Sequence, residues 1–108
     1  MALSSFANGT QSASIGTEHT LGTPSSPGTY LLVVDTTNMQ NGDTLELRGK
    51  SAAKAGGSNI QFFCGQYANV QADPMKISVP IPAVDGCTFT LKQVAGSGRN
   101  FDWNIYQL

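Results

Sequence analysis

The stretch from Cys87 to Leu108 limits what this chain can fold into more than any other. It runs Cys-Thr-Phe-Thr-Leu-Lys-Gln-Val, then Ala-Gly-Ser-Gly-Arg-Asn, then Phe-Asp-Trp-Asn-Ile-Tyr-Gln-Leu. Two alternating runs around a Gly-rich breaker predict a β-hairpin. In the first run Cys87, Phe89 and Leu91 share one face and Thr88, Thr90 and Lys92 the other, which is the two-residue period of a half-buried strand. In the second, Phe101, Trp103 and Ile105 form the apolar side, opposite Asp102 and Asn104. A hairpin with the only Trp of the chain on its apolar face has to be covered by the segments before it.

Those segments also read as strands. Thr29 to Asp35 contains Tyr-Leu-Leu-Val-Val, an unbroken apolar run with β-branched residues, as expected of a central strand covered on both sides. Thr44-Leu45-Glu46-Leu47-Arg48-Gly49 alternates, with Leu45 and Leu47 inward. Its expected partner is Asn59 to Val70, reached through a Gly56-Gly57 hairpin loop. Ile60, Phe62 and Cys64 are assigned to the core face of that partner and Phe63 and Tyr67 to the other face, as a cover for a sheet edge or an aromatic contact surface. Ser12 to Gly22 reads as a strand with Ile15 as its apolar point. Met75 to Pro82 reads as a strand at a sheet edge, because Pro80 and Pro82 cannot donate to a ladder. Thr36 to Asp43 is expected to form one helical turn followed by a tight turn at Asn41-Gly42.

Ser, Thr, Asn and Gly take the place of charged residues, which make up only 12% of the 108-residue chain, and this mixture favours turns and strands over helices. The expected fold is therefore all-β, an antiparallel β-sandwich or jelly-roll-like barrel of about seven strands in a single domain, residues 12–108. Residues 1–11 show neither period and read as a flexible N-terminal arm. Leu3 and Phe6 are its only sizeable apolar side chains, so they are its candidate anchors on a neighbouring subunit.

Chemistry is harder to find. Glu18 and His19 are adjacent, but neighbouring strand residues point to opposite faces and cannot serve one acid-base site. One His and two Cys do not make a usual zinc site. Cys64 shares parity with Ile60 and Phe62, and Cys87 with Phe89, so the two thiols could face one another across a sandwich; they are read as free and buried. Gly96-Ser97-Gly98-Arg99 has the make-up of an anion-binding nest, although a hairpin loop needs glycine for its own geometry. With no nucleophile motif and no cofactor fingerprint, the expectation is a protein without catalytic residues, cofactor or metal. A net charge of -1 gives no attraction to nucleic acid, and no apolar run is long enough to cross a bilayer. No secretion signal opens the chain, so it is expected to be made and used from the cytoplasm of the producing cell.

Four segments, Gly16-Thr17-Glu18-His19-Thr20-Leu21, Asn41-Gly42-Asp43-Thr44-Leu45-Glu46-Leu47-Arg48, Ala72-Asp73-Pro74-Met75-Lys76-Ile77-Ser78-Val79-Pro80 and Thr90 through Gly96-Ser97-Gly98-Arg99 to Trp103, together resemble a group of small virion proteins encoded in the structural-gene clusters of tailed bacteriophages. The resemblance covers most of the chain after Ser12, in consistent order; Cys64 and Cys87 are not part of its pattern. It implies a non-enzymatic particle subunit, assembled in the host bacterial cytoplasm, with the major capsid protein or other virion proteins and further copies of itself as partners. A capsid decoration or cement protein is the leading expectation. A tail or connector subunit, or a carbohydrate- or receptor-binding module, is the alternative, the last disfavoured by the inward parity of Trp103.

Overall fold

A computed structural model describes residues 4–108. Nine strands follow in chain order: β1 Ser4–Ser12, β2 Glu18–Gly22, β3 Gly28–Asp35, β4 Thr44–Ser51, β5 Ile60–Ala68, β6 Met75–Ile77, β7 Ile81–Ala83, β8 Cys87–Ala95 and β9 Asn100–Gln107. All pairings are antiparallel, and the described residues contain no helix. The first sheet runs β1-β9-β3-β6, with β7 also paired to β3; the second runs β2-β8-β4-β5. The smallest dimension of the molecule is 19 Å, about what two sheets stacked roughly 10 Å apart require once their outer side chains are counted. The fold is all-β and sandwich-like.

The alternation read in β3, β4, β8 and β9 decides what lies between the sheets. Tyr30, Leu32, Val34, Phe101 and Ile105 come from the first sheet; Leu45, Leu47, Cys87, Phe89 and Leu91 come from the second, and all are buried. Trp103 shares that face but is only partly buried, and its indole packs across Gly9, the residue opposite it in the ladder.

Several expectations are corrected. Nine strands replace about seven, first because the supposed arm is a strand: Ser4–Ser12 pairs along β9 with a bulge between Ser5 and Ala7. The backbone ladder does not depend on side-chain hydrophobicity, and Thr10 Oγ1 donates to Asp102 Oδ1 (2.6 Å) while Ser5 Oγ donates to Asn104 Oδ1 (2.8 Å). A polar segment can therefore close the edge of a sheet. Second, Met75 to Pro82 is two short strands. Between them Ser78 N donates to Leu32 O (2.8 Å) and Ser78 Oγ accepts from Leu32 N (2.9 Å), so the Ser78 backbone and hydroxyl continue the pairing with β3 where β6 has ended. The strand expected from Ser12 begins only at Glu18, and Ile15 sits exposed in a turn. The helical turn is instead a pair of hydrogen-bonded turns, Met39 N to Thr36 O and Asp43 N to Gln40 O, each 3.1 Å.

The most consequential correction concerns β5. Ile60 and Phe62 are 61% and 47% exposed and Cys64 lies on the solvent side, whereas Phe63 and Tyr67 pack against the core. The cause is the partner strand: Gly49 pairs with Phe63 but Lys50 with Gln61, so Phe62 is an extra, bulged residue. From Phe63 onward the odd residues therefore oppose inward-facing Gly49, Leu47 and Leu45. A period of two fixes which residues share a face, and the register decides which face is inside.

Candidate interaction surface

The outer face of the second sheet carries a cluster of ion pairs in which Arg48 Nε is buried without a partner. Glu18 on β2, Thr90 on β8 and Arg48 and Lys50 on β4 meet there: Glu18 accepts from Lys50 Nζ (2.8 Å), Arg48 Nη1 (3.2 Å) and Thr90 Oγ1 (2.6 Å), and Arg48 Nη2 also donates to Glu46 (2.6 Å). These bonds, led by that from Lys50, hold the Glu18 carboxyl down at about 2. A carboxylate held by three donors is not a general base. Adjacent His19 points elsewhere, its Nε2 accepting from Ser14 N (3.1 Å).

The Gly96-Ser97-Gly98-Arg99 tip does hold an anion, and the anion belongs to the chain. The Asp43 side chain is 2% exposed and accepts from Arg99 Nε (2.8 Å), Gln40 N (2.9 Å) and Ser97 N (3.2 Å). Burial pushes its pKa up, but these donors outweigh burial and leave it lowered. Gly96 has φ +91°, and a Cβ there would collide with Asp43, so only glycine brings the backbone this close. Fully buried Gln93 completes the tip, accepting from Arg99 N (3.1 Å) and donating to Ser97 O (2.7 Å). Asp43 and Gln93 have the inward parity of Leu45 and Leu91, and a polar residue in an apolar phase was the available signal for this device.

The remaining groups are likewise dispersed. Asp35 accepts from Thr37 N and Oγ1, led by the hydroxyl, which lowers its pKa, and Asp85 accepts from Gly56 N. Cys64 and Cys87 are free thiols on opposite faces of the second sheet, so they cannot face one another; burial pushes Cys87 up to about 11. Among the described residues no three His, Cys, Asp or Glu side chains come together as a metal site would need. Of the contact residues named from the sequence, Leu3 lies outside the described residues. Phe6 is exposed on β1 with its ring edge-on to Tyr30 at 6.1 Å, and Phe63 and Tyr67 face the core, Tyr67 under the Lys76 ammonium at 5.0 Å. Of the three that are described, Phe6 belongs to the first sheet and Phe63 and Tyr67 to the second, and they do not form one surface.

The surface that sequence reasoning missed is the outer face of the first sheet. Leu31 and Val33 of β3 lie in rows with Tyr106 and Asn104 of β9, and Val33 also opposes Ile77 of β6. Met75 and Ile77 are 55% and 59% exposed there, and Leu31 and Val33 are half-buried. An open groove of about 210 Å³ runs among Val33, Asp35, Met75, Asp102, Asn104 and Tyr106. The apolar run of β3 was expected to be covered on both sides, but among the described residues the chain covers only its Tyr30, Leu32 and Val34 side.

No known protein family, curated sequence or solved structure matches this chain.

Proposed function

We propose that this chain is a non-enzymatic structural subunit of a bacteriophage particle: a capsid decoration or cement protein that docks on the major capsid protein, oligomerises there and stabilises the head. The supporting observation is the outer face of β3, β6 and β9. A strand apolar on both sides belongs where both sides are covered, and the described residues of this chain leave the second cover to another molecule. Asp35 and Asp102 border the groove, so the complementary surface is an apolar side chain with a cation beside it. Many copies of a modest contact of this kind, repeated by the symmetry of a shell, hold a subunit firmly without any single strong site. The sequence resemblance to tailed-phage virion proteins points the same way.

The test is the amount of this chain relative to major capsid protein in purified particles. A head decoration protein appears at a fixed ratio to capsid subunits, and particles stripped of it come apart at lower temperature. Its absence from particles would exclude the role, and a copy number matching a single ring at the connector would move it to the tail.

A further inference from the structure

We propose that the β5 edge is a self-pairing seam, through which two copies join antiparallel strands about a two-fold axis at Cys64. Of the strands that end the two sheets, β2 is short and charged at its start, and β6 and β7 are short and flanked by Pro74, Pro80 and Pro82. β1 is as long as β5 and likewise free of charge and proline, but apart from Phe6 its side chains are small or polar. β5 is nine residues long, Ile-Gln-Phe-Phe-Cys-Gly-Gln-Tyr-Ala, without a charge or a proline. Edges that must stay single carry lysine, proline, inward charge or a bulge, and β5 carries only the last of these, at Phe62. Its bulge at Phe62 leaves Phe63 to Ala68 in unbroken register with β4.

An open row of backbone donors and acceptors calls for an extended backbone as its occupant. A second copy of β5 meets that need with equal length. Cys64 is the middle residue of the strand, so the register that overlaps all nine residues places Cys64 opposite Cys64 and sets exposed Phe62 diagonally beside the second thiol. On balance charge favours this register, against one alignment of Arg48, beside Cys64, with its own copy. Glu46 lies beside Gln66 and Lys50 beside Gln61, so the two-fold brings the acidic end of β4 in one copy level with the basic end in the other, twice over. At about three strand spacings, or roughly 14 Å, that alignment steers the encounter more than it holds the pair.

The seam extends the self-association proposed above, but it is tested on the isolated protein, so its failure would leave the particle assignment to be decided by stoichiometry. A single strand pair buries little surface, and dimerisation is expected toward the weak end of specific association, with Kd between about 1 μM and 1 mM. Sedimentation across that range should show a concentration-dependent dimer for the wild-type protein and Cys64→Ser, and a monomer for Cys64→Lys, which sets two cations on the axis. Diamide should take up the two thiol hydrogens as a Cys64–Cys64 disulfide forms, read by peptide mass; buried Cys87 stays unlinked. Wild-type protein that remains monomeric over the range, a dimer that gives no Cys64–Cys64 disulfide, or Cys64→Lys that dimerises like wild type would each overturn the proposal.

Discussion

On the outer face of the second sheet, Glu18, Glu46, Arg48 and Lys50 answer one another across β2 and β4, whereas the outer face of the first sheet leaves Met75 and Ile77 open beside half-buried Leu31 and Val33. Both faces rest on the same core. On the ionic face Glu18, Glu46, Arg48 and Lys50 are engaged with one another, although Arg48 Nε is buried without a partner, so another molecule would have to break those bonds to gain a contact. Among the described residues the apolar face has no internal partner to lose, and covering it removes hydrocarbon from water at about 25 cal/mol per Å². A small β-domain can thus present one face to solvent and reserve the other for a neighbour.

The largest expected effect comes where the sheets are tied together. Asp43→Ala leaves Gln40 N, Ser97 N and Arg99 Nε without their acceptor at the end of the sandwich. A loss of about 2 to 4 kcal/mol is expected in chemical denaturation, and both outer faces should suffer alike. An unchanged midpoint would mean that the hairpin tip closes without its internal anion.

Glu18→Gln separates the faces more sharply. It should lower stability at neutral pH by about 1 to 2 kcal/mol, since the cluster is partly open to solvent that screens it, and should leave particle binding intact. Because the folded-state pKa of Glu18 is about 2 and its ordinary value 4.5, its stabilisation is fully present above pH 4.5 and is lost as pH falls toward 2. Asp43 and Asp35 are lowered as well and act in the same direction. Melting temperatures followed from neutral to acid pH should therefore fall less steeply in Glu18→Gln than in wild type. Parallel curves would remove Glu18 from the account of the polar face.

The smallest effect on stability should accompany the greatest effect on docking. Met75→Ser combined with Ile77→Ser changes two side chains more than half exposed, and thermal stability should shift by no more than about 0.5 kcal/mol. Occupancy on particles should fall nonetheless. A variant that melts earlier by several degrees would show that this face is already covered within the chain, and one that loads at full occupancy would move the docking surface elsewhere.

Phe89, Leu91, Leu45, Leu47 and Ile105 were legible as core because alternation within one strand is a local property of the sequence. So were the turn at Asn41-Gly42, where Gly42 has φ +97°, and the placing of Pro82 on a short strand beside β3. What the chain could not state locally is which partner each strand meets. The Phe62 bulge becomes visible only against Gly49 and Lys50, and it turned the aromatic face of β5 around. Ser4–Ser12 has no hydrophobic period, and its strand exists because β9 supplies a ladder for it. Glu18 meets Arg48 and Lys50 only once β8 has been placed between β2 and β4. Side-chain period is written in the sequence, but register, bulges and the meeting of distant charges are settled by backbone hydrogen bonds, which almost any sequence can make and only the assembled sheets assign.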